Sequence, residues 1–391
     1  MKYNNILMLT YHFWKSERRG GFHYFAEEFC KMGYNVDFVL FPYSLFRVFT
    51  HRNKDRFNIR RLFELVKGKQ YQCYDNILRN FGFPSLVFPP KWDKFKFNYL
   101  TLTSLYISFF IILLKLRRKY EFIVVESTLA IVLIDFIKRL YPTTKIIYRQ
   151  SDPMHFVHSS RYFINFEENI ILKSDLTLFV NKKIKNYTLK SINLSLVNNK
   201  TEILANGIDL IFLSKIHEKP SVYNIYEVNA LYLGVFPIDW KLIFYIADKL
   251  KHIHFIIIIP SNIDKITEEK INGFSNITFI NGINPQQVPA FIQYSSIGII
   301  PYAKKEKIME LMGMHSKIYK FMYCKKPIVT YNICLEIEEQ RGIFQSFSEE
   351  EFLSNVKAAS KLKNIKYDFN FEEVNWENLA KKFIYNLSCL K

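Results

Sequence analysis

The chain has 391 residues, of which 49% are hydrophobic and 23% charged, and this composition excludes a disordered or a fibrous protein. Its length exceeds what one hydrophobic core usually supports and is typical of two domains. The formal net charge is +18, and residues 1–150 alone carry 25 basic and 11 acidic side chains. We therefore expect this part to face an anionic partner, such as nucleic acid, an acidic substrate or an anionic membrane. Five cysteines without a CxxC pair indicate reduced thiols and exclude a zinc site of that pattern.

Short apolar strands alternate with helical patterns in the first part of the chain. The predicted strands are Ile6–Leu9, Val36–Phe41, Phe122–Glu126, Lys145–Arg149, Leu176–Val180 and Thr201–Leu204. The predicted helices are Phe22–Met32, Leu100–Lys119, Leu129–Leu140, Tyr162–Leu172 and Lys183–Leu189. This alternation predicts a parallel sheet with helices on both faces, and hence a Rossmann-like domain over residues 1–210. The apolar stretch 99–114 is shorter than a membrane span, so a buried helix is favoured over shallow membrane insertion.

The segment 47–96 fits this alternation poorly. It contains 12 basic and 4 acidic residues, with phenylalanines and a tryptophan between them. A basic segment with interleaved aromatic rings is typical of a surface that binds a membrane or a single-stranded nucleic acid.

The alternation of strands and helices begins again after residues 211–227, which contain Pro220 and are predicted to be the interdomain linker. The predicted strands of the second domain, residues 228–374, are Ala230–Gly234, Phe255–Ile259, Ile277–Ile280, Ile297–Pro301 and Ile328–Tyr331. Its predicted helices are Trp240–Leu250, Pro285–Tyr294 and Ser316–Cys324. Residues 375–391 are predicted to form a final amphipathic helix. Two doubly wound α/β domains are thus expected, with the active site in a cleft between them at the carboxyl ends of the strands.

The loop after the first strand is a candidate anion site. It contains His12, Arg18, Arg19, Gly20 and Gly21, and it leads directly into a helix. Paired glycines allow backbone N–H groups to approach an anion, and a helix N-terminus carries a partial positive charge. The alternative is that the two glycines only permit a tight turn between strand and helix.

A second loop, Tyr148 to His155, follows a buried strand and contains Arg149 and Asp152. An aspartate at the carboxyl end of a strand can act as a general base on a hydroxyl group. The alternative is that Asp152, which precedes a proline, only caps the next turn.

In the second domain, Lys317 falls in the first turn of a predicted helix that starts at Ser316. A lysine there is unfavourable for the helix dipole unless it helps the helix N-terminus to hold a phosphate group. A solvated surface lysine is the alternative.

Several motifs resemble those of GT-B nucleotide-sugar glycosyltransferases. Residues 206–209 (NGID) resemble their "NGID/NGVD" segment, and residues 316–329 resemble their "xKxxEYxxxxKPVV" donor-site helix. Residues 281–302 resemble the base-binding loop and the strand after it. Residues 375–377 (NWE) resemble their "SWE" helix, which returns to the first domain. The loop Tyr148–Asp152 is most similar to the "RxSD" loop of the xanthan-pathway glucuronosyltransferase family.

This resemblance implies two Rossmann-like domains that face each other across a cleft, the GT-B fold. It implies an inverting, metal-independent glycosyltransferase without a cofactor, a hexosyl- or glucuronosyltransferase peripheral on the cytoplasmic face of the cell membrane. The donor would be a UDP-sugar, with glucuronic acid as the sugar suggested by the family. The acceptor would be a lipid-linked oligosaccharide of capsule or exopolysaccharide biosynthesis, and an anionic membrane rather than a nucleic acid would be the partner surface.

The resemblance also assigns roles to individual residues. Asp152 corresponds to the catalytic base, and Tyr302 and Lys317 correspond to the donor-site tyrosine and lysine. Gly234 and Ile283 would lie near the nucleotide base. A glutamate that many GT-B enzymes use on the nucleotide ribose is Lys320 here, so ribose recognition is expected to differ.

Three other functions are compatible with the residues. A UDP-sugar 2-epimerase has the same two-domain frame and needs no acceptor. A non-catalytic nucleic-acid-binding protein would use the basic aromatic segment, although this segment has no RNP, KH or helix-turn-helix signature. A scaffold role would leave the motifs without an explanation.

Overall fold

A computed structural model of the chain describes residues 4–46, 59–87, 99–157, 162–303, 307–337 and 340–389. It divides into two compact units. Unit 1 comprises Met1–Ala205 and Trp376–Lys391, and unit 2 comprises Asn206–Asn375.

Unit 1 is built on an eight-stranded sheet. Its strands are β1 (Asn5–Thr10), β2 (Asn35–Ser44), β3 (Lys69–Cys73), β4 (Asn76–Ser85), β5 (Phe122–Glu126), β6 (Lys145–Gln150), β7 (Leu176–Phe179) and β8 (Thr201–Ile203). The helices in the same part of the chain are α1 (Gly21–Lys31), α2 (Ile59–Lys67), α3 (Tyr99–Leu116), α4 (Ile134–Leu140), α5 (Met154–Val157), α6 (Tyr162–Lys173) and α7 (Lys182–Thr188).

The strand order in this sheet is β3-β4-β2-β1-β5-β6-β7-β8. All neighbours pair in parallel except β3 and β4, which form an antiparallel hairpin. Chain progression therefore reverses between β1 and β5, and the crevice at such a reversal is where open α/β sheets bind ligands. The predicted parallel sheet is confirmed.

Helix α3 is buried along one face only. About 33% of it is buried, and by length and composition it is the one helix of the described residues apolar enough to cross a membrane. Leu105, Phe109 and Ile112 face the core, whereas Ile107 and Phe110 are 55% and 49% exposed. The prediction of a buried helix thus holds for one face of α3 only.

Unit 2 is built on a six-stranded, fully parallel sheet in the order β11-β10-β9-β12-β13-β14. Its strands are β9 (Val228–Leu233), β10 (Ile253–Ile258), β11 (Ile277–Ile280), β12 (Ile297–Pro301), β13 (Ile328–Tyr331) and β14 (Ile343–Ser346). Its helices are α8 (Leu210–Ser214), α9 (Trp240–Lys249), α10 (Lys265–Asn272), α11 (Val288–Tyr294), α12 (Ser316–Tyr323) and α13 (Glu349–Ala359). Here the chain reverses between β9 and β12, which makes the carboxyl ends of these two strands the expected ligand site.

The final helix, α14 (Trp376–Ser388), belongs to unit 1, where it packs on α1. The Trp376 ring stacks on Tyr24 at 5.0 Å and meets Phe25 edge-on at 5.2 Å, and Phe383 packs against Phe29 at the same distance. Large aromatic rings supply much of the apolar area that such a helix buries.

Residues 211–227, predicted to be a linker, are instead part of unit 2. They contain most of α8 and a short 3-10 helix, Ser221–Asn224. Tyr223 is buried, and its hydroxyl group donates a hydrogen bond to the Phe291 carbonyl at 2.6 Å. The proline and the polar residues give this segment the composition of a linker, but its buried tyrosine packs it into unit 2.

Other local predictions also need correction. The predicted helix Leu129–Leu140 starts as a 3-10 helix, Leu129–Leu133, and the helix Pro285–Tyr294 starts as another, Pro285–Gln287. The basic aromatic segment 47–96 lies outside the described residues over 47–58 and 88–96. The rest of it forms α2, β3 and most of β4, whose irregular alternation of apolar residues had not indicated strands.

Candidate active site

A buried carboxylate, Glu126, lies at the reversal point of the unit 1 sheet. The Thr10 hydroxyl group at the end of β1 donates a short hydrogen bond to Glu126 Oε2 at the end of β5. The His12 backbone N–H donates to Thr10 Oγ1 at 3.1 Å, and His12 Nε2 lies 3.6 Å from Glu126 Oε1. The carboxylate therefore fixes both the end of β1 and the imidazole ring that follows it.

Sequence reasoning did not single out Glu126. The strand Phe122–Glu126 was predicted with its observed bounds, and a carboxylate as the last residue of a fully buried strand was the available signal. A carboxylate just beyond a buried strand is also the feature that led to the prediction for Asp152, which follows β6.

Arg149 places a buried positive charge beside this carboxylate. It is the register partner of Glu126 on the adjacent parallel strand, so both side chains leave the sheet on the same side. Its guanidinium group donates to Ser151 Oγ at 2.9 Å and lies 5.3 Å from the centre of the Phe25 ring. Burial lowers the pKa of Arg149 to about 10, which leaves it charged at neutral pH.

Asp152 is exposed to solvent, yet its protein surroundings raise the pKa of its carboxyl group. Loss of surrounding water is the larger cause and repulsion by Glu126 the second, while Arg149 acts in the opposite direction. A carboxylate with a raised pKa is a stronger base. Asp152 therefore has the chemical properties of a general base.

The turn that carries Asp152 is held at both ends. Before it, the Ser151 N–H donates to Ser127 Oγ at 2.9 Å; after it, the Met154 N–H donates to Glu167 Oε2 at 3.0 Å. Glu167 also accepts a hydrogen bond of 2.5 Å from the Tyr148 hydroxyl group. Burial raises the pKa of Glu167 to about 7.

The glycine loop of unit 1 is organised by a histidine, His23. The Gly20 N–H donates to His23 Nδ1 at 3.0 Å, and His23 Nε2 lies 2.9 Å from the Phe13 carbonyl oxygen, to which it donates in the tautomer that this pairing requires. A Cβ atom on Gly20 would lie 2.5 Å from His12 Nε2, so the glycine lets the His12 ring pack closely. Gly21 is the first residue of α1.

The two arginines of this loop have different surroundings. Arg19 forms a 2.7 Å ion pair with Glu27 and lies 4.9 Å from the centre of the Tyr24 ring, whereas Arg18 is exposed. The structure thus brings His12, Gly20, Arg149 and Asp152 around Glu126 and directs Arg19 toward Glu27. An anion-binding role for Arg18, Arg19, Gly20 and Gly21 stays a prediction.

In unit 2, three of the predicted donor-site residues meet at the reversal point of the sheet. Lys317 Nζ donates a 3.1 Å hydrogen bond to the hydroxyl group of Tyr302, which follows β12. The same ammonium group lies 4.6 Å from the centre of the Tyr232 ring, over Gly234 at the end of β9. Two aromatic faces and a residue without a side chain thus hold one cation at the carboxyl edge of the sheet.

The remaining predicted donor-site residues also lie in unit 2. Ser316 is the first residue of α12, so Lys317 stands beside that helix's N-terminal N–H groups. Lys320, one turn further, has a pKa lowered by burial, which Asp209 partly opposes. Ile283 follows β11 and the left-handed Gly282, two strands away from β9. Among the described residues there is no group of three or more His, Cys, Asp or Glu that could hold a metal ion.

Residues 8–180 match the family model described as "Glucuronosyltransferase GumK, N-terminal domain". Together with the fold, this match decides the class. The chain is a glycosyltransferase of the GT-B type. The predicted likeness to the xanthan glucuronosyltransferase family is thereby confirmed for the N-terminal part of the chain.

Solved structures of sugar-phosphate synthases share the fold of the whole chain. A sucrose-phosphate synthase from Thermosynechococcus elongatus is 11% identical with a TM-score of 0.69, over 98% of each chain. A UDP-forming α,α-trehalose-phosphate synthase from Burkholderia vietnamiensis is 12% identical with a TM-score of 0.66, over 99% of each chain. The E. coli trehalose-6-phosphate enzyme, solved with UDP-2-fluoro glucose, is 11% identical with a TM-score of 0.58, over 98% of this chain and 96% of its own. No curated protein matches the sequence. These likenesses confirm the predicted GT-B fold.

Proposed function

We propose that this glycosyltransferase moves a sugar, with glucuronic acid as the first candidate, from a UDP-sugar to a lipid-linked oligosaccharide with inversion at the anomeric carbon. The observation that carries the proposal is the cation site formed by Lys317, Tyr302 and Gly234 at the reversal point of unit 2. A fixed ammonium group beside a helix N-terminus is suited to the diphosphate of a nucleotide-sugar.

Asp152 is the proposed base in unit 1. It would take the proton of the acceptor hydroxyl group while that oxygen forms a bond to the anomeric carbon. The bond from the anomeric carbon to the β-phosphate oxygen breaks in the same displacement, and UDP leaves with the electron pair. Lys317 and the N–H groups of α12 would stabilise the charge on the departing diphosphate, so the proposal requires no metal ion.

The lipid-linked acceptor is supported by the exposed face of α3. Ile107, Phe110 and Leu114 follow one another at helical spacing, and each is about half exposed. Arg117 and Lys119 are exposed just beyond the end of the helix. An apolar face next to basic side chains is suited to an anionic membrane surface, where this protein would be peripheral on the cytoplasmic side.

A transfer assay tests the proposal. The purified chain is incubated with a panel of UDP-, GDP- and dTDP-sugars and a polyprenyl pyrophosphate-linked oligosaccharide, in the presence of EDTA, and products are identified by mass spectrometry and by the anomeric coupling in NMR. We expect transfer from a UDP-sugar with inversion. The variant Asp152→Asn should lose transfer and keep UDP binding, whereas Asp75→Asn, an exposed aspartate of the same unit, should keep both.

Two outcomes would contradict the proposal. Near-normal turnover of Asp152→Asn would remove the base from its role. Conversion of a UDP-sugar in the absence of any acceptor would indicate an epimerase.

A further inference from the structure

Glu126 has no part in the base and donor sites proposed above, although it is almost fully buried beside both Arg149 and the Asp152 turn. Its relative exposure is 3%, and its carboxylate is held from two directions. Thr10 donates to Oε2, and His12 Nε2 lies 3.6 Å from Oε1. A buried charge with such partners is costly to maintain, so its position calls for a role.

The end of β5 also holds the turn of the base. The next residue, Ser127, accepts the Ser151 N–H at 2.9 Å, immediately before Asp152. Glu126 and Arg149 are register partners on the paired strands β5 and β6. The pairing of β5 with β6 thus brings the carboxylates of Glu126 and Asp152 and the guanidinium group of Arg149 to the same edge of the sheet.

We propose that Glu126 is the positioning residue of the Asp152 site. Its carboxylate orders Thr10 and His12 on one side and stands against Arg149 on the other, so that Asp152 meets the acceptor hydroxyl group beside a fixed negative charge. This inference rests on the proposed role of Asp152 as base.

The charged groups around Asp152 set the direction of the effect. Glu126 on β5 repels its ionised form and Arg149 on β6 attracts it, while Tyr11 after β1 and Glu167 on α6 also interact with its charge. A base gains proton affinity from a neighbouring negative charge, and a stronger base removes the acceptor proton faster. Arg149 opposes the effect of Glu126 on the pKa of Asp152.

The variant Glu126→Gln tests the charge at nearly constant volume, because its amide oxygen can still accept the Thr10 hydroxyl group. The pH dependence of kcat/KM should show its acidic limb at lower pH than in the wild type, because Asp152 then ionises more easily. The plateau of kcat should fall by about tenfold, with the KM for acceptor changed by less than about twofold. The matched control is Glu202→Gln, an exposed carboxylate on β8 of the same unit.

Thr10→Val separates position from charge. It leaves the Glu126 charge in place and removes the hydroxyl group that joins Glu126 to the His12 backbone, so kcat should fall while the acidic limb stays. Should Glu126→Gln fail to fold by thermal melting, Thr10→Val decides the matter. An unchanged kcat in that variant would overturn the inference.

A titration of Asp152 by carboxyl 13C NMR, without substrate, keeps this inference distinct from the proposed function. Its midpoint should move to lower pH in Glu126→Gln and stay unchanged in Glu202→Gln; an unmoved midpoint in folded Glu126→Gln overturns the inference. If the wild type transfers no sugar, or Asp152→Asn stays active, the proposed function fails whatever the titration gives. If the wild type transfers, Asp152→Asn is inactive and Glu126→Gln behaves as the wild type, the Glu126 inference alone fails.

Discussion

The ammonium group of Lys317 occupies the space that a side chain on Gly234 would fill. A Cβ atom on Gly234 would lie 2.4 Å from Lys317 Nζ and 3.0 Å from the Tyr232 hydroxyl oxygen. The missing side chain at the end of β9 therefore allows a cation on α12 to reach the carboxyl edge of the sheet.

Gly234→Ala should displace the lysine and weaken the binding of UDP at the proposed donor site. The lysine end is flexible and can move away, so the fold should tolerate the methyl group. Loss of a charged hydrogen bond costs about 1.5–3 kcal/mol, which corresponds to a roughly 10- to 100-fold higher Kd by titration calorimetry. Gly273→Ala, at an exposed helix end of the same unit, is the control. An unchanged Kd in Gly234→Ala would mean that Lys317 does not bind the diphosphate from this position.

His23 should make unit 1 sensitive to acid. Burial lowers its pKa to about 3, compared with an unfolded value near 6.5. The stability that it contributes is complete above pH 6.5 and is lost as the pH falls toward 3, by about 1.4 kcal/mol per pH unit, because only the unfolded state takes up the proton. Urea unfolding followed by tryptophan fluorescence in a Trp240→Phe background reports unit 1. His23→Gln should show a weaker pH dependence over this range; the same dependence as the wild type would assign the acid effect to other groups.

Glu167 should act in the opposite direction. Its pKa of about 7 in the folded state lies above its unfolded value, so the folded protein holds a proton that the unfolded chain releases. Its contribution is complete below about pH 4.5 and is lost as the pH rises through 7, at a cost of about 3 kcal/mol. Glu167→Gln should therefore show less loss of stability between pH 5 and 8, with Glu168→Gln as the neighbouring control. A steeper loss in Glu167→Gln would contradict the raised pKa.

The exposed face of α3 should determine membrane binding. Ile107→Ser together with Phe110→Ser should reduce binding to sedimented anionic vesicles by at least about tenfold, since burying one large apolar side chain contributes about 1.5–3 kcal/mol. Ile266→Ser removes an even more exposed isoleucine from unit 2 and should leave binding unchanged. Equal binding of the double variant and the wild type would mean that another surface contacts the membrane.

Local pattern was sufficient to predict most strands and to place Lys317 in the first turn of a helix. Strands such as Phe122–Glu126 and Ile297–Pro301 have their predicted bounds, because a fully buried parallel strand is a short apolar run between polar turns. The hairpin β3–β4 was not predicted, since its stability depends on β2, which pairs with β4 and is distant in sequence. The half-exposed face of α3 was not predicted either, because the helix is apolar all round.

The sequence by itself determined the two parallel α/β units and placed Asp152, Tyr302 and Lys317 after strands or in a helix's first turn. Only the tertiary structure decided what surrounds them. Thr10 and Glu126 are 116 positions apart and meet because β1 pairs with β5. Gly234 and Lys317 are 83 positions apart and meet because the side chain from the first turn of α12 reaches the residue that follows β9. Hydrophobic periodicity is a property of neighbouring residues, whereas strand register joins distant ones. The charged groups around Asp152 are brought together by that register.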